Sequence, residues 1–564
     1  MASSTFETEG VRVAIEGCGH GTLDAIYGSV ATASKAQGWD GVDLLIIGGD
    51  FQAARNAADL SVMAVPAKYR ALGDFPAYYS GEKTAPYLTV FIAGNHEASS
   101  YLWELYYGGW VAPNIYYLGA ANVLRFGPLR IASMSGIWKG HDYRKPHHER
   151  LPFDQGDIRS FYHVREIDVR KLLLLREQVD VGMSHDWPRA IENHGDAAAL
   201  WRMKPDFRQE SVDGTLGSPA VQYVMDRLRP AYWFSAHMHC KFSAIKTYQA
   251  PSLEPASTEN SEQAVPNDGV ATTAGEATAN PDEIDLDDDD DDLVAQEDAK
   301  AAGVPQPTVQ PASTVSDELR AKLPASFAAP TSSTRQGPKT TPGQPVPSSI
   351  QNTTTRFMAL DKCLPGRKFI QLSTLQPVDS ANLVLHPPGS TSTSSLDSSK
   401  QRYKLQYDPE WLAITRVFAN IGIFDSVPQD LGEAAYNKKI DVERAWVDEH
   451  IVGKDKLAVP ENFSITAPPH VQGDPETVNY QPEEYTNPQT VAFCELLEIP
   501  NHWDATPEER AERKANAPTP STENHRGGSW GGRGRHGGSG RGRGFGRGSS
   551  RARGHGRGRG GGWH

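Results

Sequence analysis

Cysteine is scarce in this chain: 564 residues contain four, at positions 18, 240, 363 and 494. Thiols so few and so scattered cannot form a disulfide framework, which excludes the small stapled secreted folds and points to a reducing compartment. Long hydrophobic runs are missing too. No window approaches the roughly eighteen apolar residues that a membrane-spanning helix needs, so a soluble protein with no membrane partner is expected. The opening stretch Met1 to Gly10 has neither a basic start nor an apolar segment, which argues against secretion. Between Ala250 and Ile350 aromatic residues are few, and Pro, Ser, Thr, Ala and acidic residues take their place. Such a composition cannot bury enough surface to fold, so a disordered insertion is expected there. From Arg526 onward, repeated Arg-Gly units with an occasional Trp530, Phe545 or Trp563 have no route to a packed core.

What is present suffices for a substantial folded part. The chain is 38% hydrophobic, while 52 glycines and 40 prolines leave room for two or three domains with much unpacked sequence between them. The net charge of -14 would disfavour nucleic acid if it were evenly spread, but it is not. Asp287 to Asp292 form an unbroken acidic run, whereas the tail is rich in Arg. Disordered Arg/Gly tails bind RNA through phosphate charge and stacking. A solubilising role and association with splicing-related or RNA-associated proteins are the alternatives for this one.

Short apolar strands, each ending in polar residues, are expected at Val11–Ile15, Leu44–Ile47, Leu88–Ala93, Leu129–Ser133, Val179–Met183 and Ala231–Ser235. Helices are expected at Leu23–Gln37, Val169–Gln178 and Ala220–Leu228. This is a mixed α/β pattern. Order is expected to return at Thr355–Pro365, Lys368–Leu375 and Tyr403–Phe418, after a Ser/Thr-rich break at Ser390–Lys400, with helices at Asp441–Ile451 and Thr490–Leu497.

The chemistry gathers where these strands stop. The third strand ends in Gly94-Asn-His-Glu97, an amide oxygen, an imidazole and a carboxylate in succession. The first runs into Cys18-Gly-His20, a pair that can point the same way from an extended chain. The second ends in Gly48-Gly-Asp50, the fifth in Ser184-His185, and the sixth in His237-Met-His239. An α/β sheet gathers its strand ends along one edge. Donors arriving there can hold two adjacent metals that share a carboxylate, a known device for phosphoester hydrolysis. Cys240 lies on the opposite side of an extended chain from His239 and reads as core.

Cys18-Gly-His20, Gly49-Asp50, Gly94-Asn-His-Glu97, His185 and His237-Met-His239 together resemble the ligand series of the calcineurin-like metallophosphoesterases. That family usually starts the series with Asp-x-His. Cysteine in place of that Asp characterises one branch, the RNA lariat debranching enzymes. Further runs match the branch: Ser135-Gly-Ile-Trp138, His141-Asp-Tyr-Arg144, Tyr162-His-Val-Arg165, Ser184-His-Asp-Trp-Pro188, Tyr232 to His237, and Ala359-Leu-Asp-Lys-Cys-Leu-Pro365. The resemblance covers roughly residues 10 to 250 and 355 to 420. It implies a β-sandwich flanked by helices as a catalytic domain over 1–250. An insertion over 251–350, a smaller C-terminal domain over 351–500 and a tail over 501–564 complete the expected layout.

The resemblance further implies one metal position formed by Cys18, His20, Asp50 and His239. A second would use Asp50, Asn95, His185 and His237, with Asp50 bridging. One or two divalent ions per chain are expected, Fe2+, Zn2+ or Mn2+, and the thiolate favours Fe2+ or Zn2+ over Mg2+. The implied reaction is hydrolysis of the 2′,5′-phosphodiester at the branch point of excised intron lariat RNA, with His96 protonating the departing 2′ oxygen. Glu97 either tunes His96 or is structural. Residues 138–165 mix Arg, Lys, His and Tyr, as a loop holding single-stranded RNA requires. In that branch this segment is a recognition loop, and His141, Tyr143, Arg144, His163 and Arg165 are the expected contacts. A monomer in the nucleus, with the cytoplasm as a second location, is expected. Two alternatives remain: a general metallophosphatase, and a non-catalytic RNA-binding protein.

Overall fold

Strands whose every residue is apolar need cover on both faces, and the chain provides it. The computed structural model describes residues 10–248, 341–379, 402–419 and 427–516. Most of the expected acidic insertion, the Ser390–Lys400 break and the Arg/Gly tail lie outside the described residues. The strands are β1 Val11–Glu16, β2 Leu44–Ile47, β3 Thr89–Phe91, β4 Gly109–Ala112, β5 Ile115–Tyr117, β6 Ala121–Phe126, β7 Leu129–Met134, β8 Val181–Ser184, β9 Tyr232–Ser235, β10 Phe242–Thr247, β11 Thr354–Ala359, β12 Ile370–Leu375 and β13 Leu405–Tyr407. They form two sheets, in the orders β12-β1-β2-β3-β5-β4 and β10-β11-β9-β8-β7-β6-β13.

Val11, Val13, Ile15, Leu44, Ile46 and Val90 of the first sheet meet Val123, Ile131, Val181, Met183, Trp233 and Phe357 of the second in one core. The opposite face of the first sheet, with Ala14, Leu45, Ile47 and Phe91, packs on Leu23, Ile26, Tyr27 and Val30 of helix Leu23–Ala36. This is the expected β-sandwich flanked by helices.

All six expected strands are present. The strands β4, β5, β6 and β10 were not anticipated. Two of these have three or four residues, too few for alternation to register, and their place is set by pairing across turns. The helix expected at Val169–Gln178 instead spans Glu166–Leu173. Glu166 and Asp168 fall in its first turn, where the helix dipole favours acids. Its C-terminal extension is prevented by Glu410, whose carboxylate accepts the Arg176 N–H at 2.9 Å and the Glu177 N–H at 3.2 Å.

The expected division at residue 250 is not a break in the sandwich. β12 pairs antiparallel with β1 from Val11↔Leu375 to Glu16↔Ile370. β11 pairs parallel with β9 and antiparallel with β10, and β13 closes the other end against β6. The later sequence therefore completes both sheets, as well as adding helices Pro409–Ala419, Glu433–His450 and Pro488–Leu497. The stretch expected to be an unstructured tail from 501 also begins with a helix, Pro507–Ala515. Its start is a capping box between Thr506 and Glu509, and Arg510 and Arg513 ion-pair with Glu484.

Candidate active site

The carboxyl ends of β1, β2, β3, β8 and β9 meet at one edge of the sandwich, and Asp50 lies at the centre. Its Oδ1 is 3.4 Å from His185 Nε2, and its Oδ2 is 3.7 Å from His20 Nε2. Oδ1 also accepts the His96 backbone N–H at 2.9 Å. His20 Nε2 and His239 Nε2 are 3.3 Å apart. Cys18 Sγ accepts the His237 N–H at 3.2 Å, and the His237 ring lies 5.0 Å from that of His185. The donor atoms of Cys18, His20, Asp50 and His239 all fall within 4.8 Å of one another. Four of these side chains stand on left-handed backbone: φ is 41° at His20, 46° at Asp50, 63° at His237 and 47° at His239. Such conformations each cost about 1–3 kcal/mol and persist where the surrounding fold imposes them.

The donors fit a divalent metal. His185 Nδ1 must donate to the Gly48 carbonyl, 2.8 Å away, because a carbonyl can only accept. In the neutral ring this leaves the lone pair of Nε2 buried, without a hydrogen-bond partner and facing the Asp50 carboxylate. Lone pair against carboxylate is an arrangement that a cation resolves. Space is kept for one: a Cβ on Gly94 would sit 2.1 Å from Asp50 Oδ1 and 2.6 Å from His185 Nε2. Burial lowers His20 to about 4, keeping the imidazole neutral as a ligand must be. Burial opposes charge on Asp50, but the imidazoles of His185, His96 and His20 hold its carboxyl far below the usual range. The Cys18 thiol is pushed up by burial and by the carboxylates of Asp50 and Glu16, a balance that a coordinated cation inverts.

Asn95 is buried at the end of β3, while His96 is partly exposed beside His20, with ring centroids 5.5 Å apart. Of the two roles open for Glu97, the contacts support the structural one. Its carboxylate accepts the N–H groups of Phe51 and Gln52 at 2.8 Å and of Gly94 at 3.0 Å, tying the ends of β2 and β3 together.

The expected RNA contacts divide into three groups. His141 and Arg144 are exposed. Tyr143 is half-buried against Trp138, their rings 4.7 Å apart, and His163 is buried with its Nδ1 2.6 Å from Asp142. Arg165 differs from the others: at 1% exposure its guanidinium donates to the Asp142 carbonyl, the Ser160 carbonyl and Glu149, so these contacts hold it inside the loop. Reading the loop by residue type finds its cations but not which one is spent internally. The base of the loop is anchored beside the donor cluster, where the Ala93 N–H donates to Ser135 Oγ at 3.0 Å and the Gly136 N–H to the Ala93 carbonyl at 2.8 Å.

Comparison with known proteins decides the family. A family model described as calcineurin-like phosphoesterase matches residues 11–241. Another, described as the C-terminal domain of lariat debranching enzyme, matches residues 352–502. The chain is 39% identical over 490 residues to a Schizosaccharomyces pombe protein named lariat debranching enzyme, covering 86% of this chain and 96% of that one. The chain belongs to the lariat debranching enzyme family. Members from Arabidopsis thaliana and Homo sapiens are 34% and 37% identical, over 88% and 87% of this chain and 88% and 69% of theirs. The phosphoesterase match contains every donor from Cys18 to His239, and the debranching-enzyme match contains the three late strands. Membership of this family makes the chain a metal-dependent phosphodiesterase.

Two residues near the donors were missed. Glu16 is buried beneath them with neither carboxylate oxygen hydrogen-bonded, and burial and Asp50 push it up. Lys362 lies beside Cys18. Glu16 reads as one more strand residue, and Lys362 is separated from Cys18 by most of the chain.

Proposed function

We propose that this chain hydrolyses the 2′,5′-phosphodiester at the branch point of excised intron lariat RNA, leaving linear RNA. The observation that carries the proposal is the cluster of Cys18, His20, Asp50 and His239 donors beside partly exposed His96, at an edge from which the 135–165 loop rises. When bound, divalent ions would activate water and neutralise the phosphate oxygens. Cys18, His20, Asp50 and His239 would hold one ion, and Asp50, Asn95, His185 and His237 a second. The soft thiolate supports Fe2+ or Zn2+, with Mn2+ also accommodated by the imidazoles and carboxylates.

The remaining work falls to side chains. Water attacks phosphorus as the bond to the 2′ oxygen breaks, so the phosphate stays on the 5′ end of the released strand. His96 supplies the proton that the departing 2′ oxygen takes up. Its backbone is fixed by the Asp50 carboxylate, and its ring lies beside that of His20. His141, Tyr143 and Arg144 offer cation and ring surfaces for RNA near the branch. The Arg/Gly tail adds further RNA contact, and the substrate suits a monomeric nuclear enzyme.

Incubation with a branched RNA should release one strand with a 5′ phosphate and leave a free 2′ hydroxyl, read by mass spectrometry. His96→Ala should cut the single-turnover rate by about 10²–10⁴ without weakening RNA binding. Full activity in that variant would remove His96 from the reaction.

A further inference from the structure

The segment joining β11 to β12 borders the donor cluster although most of the chain separates it from Cys18. Cys18 and Lys362 form a parallel β-bridge, and the Cys363 N–H donates to the Cys18 carbonyl at 3.2 Å. Residues paired across a bridge present their side chains to the same face. Lys362 therefore accompanies the Cys18 thiol towards the donors. Beyond it the chain is exposed from Leu364 through Lys368. Asp361 holds this excursion closed, its N–H donating to the Lys368 carbonyl at 3.3 Å and its carboxylate lying 3.6 Å from Arg367. Lys241, two residues past His239, donates to Gln371 Oε1 at 2.8 Å, on the strand that follows the segment. Four cations, Lys362, Arg367, Lys368 and Lys241, thus crowd one wall of the site. Crowded like charges oppose folding and suit a polyanion.

The position of this wall is informative. The recognition loop is anchored at the end of β3, whereas the basic segment adjoins β1 and β12, on the other side of β2 in the sheet. We propose that Asp361–Phe369 is a second RNA-binding wall, in which Lys362 contacts a phosphate oxygen at or next to the branch and Arg367 and Lys368 contact phosphates of the strand leading away. An ammonium on a flexible stem makes a point contact to phosphate, and a guanidinium a forked one. RNA is then held between two walls with the donor cluster between them. The proposal rests on the reading of the site as one that cleaves branched RNA.

The test uses metal-loaded, full-length protein and a branched RNA with arms of about ten nucleotides, a length that fits a single-strand binding groove. Initial rates are measured across a range of salt, with melting temperatures alongside. Lys362→Ala should raise KM about tenfold, and Lys362→Arg should restore most of that loss. Replacing both Arg367 and Lys368 by Ala should reduce the slope of log kcat/KM against log salt by about 1.4, two contacts at about 0.7 each. Replacing Lys438 and Lys439, exposed on helix Glu433–His450, should leave the slope unchanged. Wild-type KM and slope in both wall variants would overturn the proposal, as would losses that follow melting temperature with no change of slope. Failure of the wild-type protein to cleave the branch would instead overturn the reading of the site, and the wall with it.

Discussion

At the scale of single residues, the candidate donors stood out because they follow the ends of strands, several of them beside a glycine or small residue that lets the chain turn, and the fold brings Cys18, His20, Asp50 and His239 together. Their place at strand ends is local, whereas their grouping into two metal positions came from the resemblance to the family. What each neighbour does was not legible in the same way. Glu97 follows His96 directly, yet its carboxylate is committed to three backbone amides of two strand ends. Arg165 carries the charge of an RNA contact but lies 1% exposed against Glu149 and two carbonyls. Lys362 belongs to a matching run, but its pairing with Cys18 exists only after folding. Cys18 itself gives the sharpest residue-level test. Cys18→Asp replaces a soft donor by a hard one, so protein purified without added metal should retain less Zn2+ and Fe2+ and recover more activity with Mn2+ or Mg2+. Elemental analysis with parallel activity measurements checks this, and an unchanged metal content would show that Cys18 is no ligand.

At the scale of elements, long runs were placed well and short ones poorly. Helix Leu23–Ala36 and all four apolar residues of β2 follow directly from their periodicity. β4 and β5, at four and three residues, owe their existence to each other and to the strands beside them. The end of helix Glu166–Leu173 is set by Glu410, far along the chain, which no local signal announces. The same region contains the joint between late and early sequence. Asp408, just after β13, accepts from Arg130 Nη2 at 2.7 Å and from Arg130 Nε and Arg125 Nε at 2.8 Å. Both Asp408 and Arg130 are buried. Asp408→Asn would leave the Arg130 charge only partly compensated and should destabilise the fold by about 3 kcal/mol. Burial opposes the charge on Asp408, but the two guanidiniums hold its carboxyl well below its ordinary value of 3.8. A depressed carboxylate contributes stability that is present above the unfolded value and lost as pH falls below it. The stability gap between wild type and Asp408→Asn should therefore be widest near neutral pH and narrow below about pH 4. Thermal melts across pH check both the size and the sign.

At the scale of the whole molecule, the β-sandwich flanked by helices was foreseen, but a separate domain was expected for the later region, which instead completes both sheets. Three of its strands pair within the two sheets, one of them along the whole of β1. A chain cut at residue 250 would expose the edges of β1, β9 and β6, and should be recovered as aggregate or as a state without a cooperative melt. Residues 249–340, by contrast, connect β10 to the stretch before β11, and these strands are antiparallel neighbours. Replacing 249–340 by a short Gly/Ser linker should leave the melting temperature within about 2 °C, since a shorter loop costs little to close. A cooperative, wild-type melt for the 1–250 fragment would refute this account of the architecture.

The central claim is that the site selects a branch, and turnover on three substrates tests it most directly. Metal-loaded wild-type protein should hydrolyse a 2′,5′-branched RNA, while a 3′,5′-linear RNA of the same composition and a phosphopeptide remain essentially intact. Equal rates on all three would contradict the account and make the chain a general phosphoesterase.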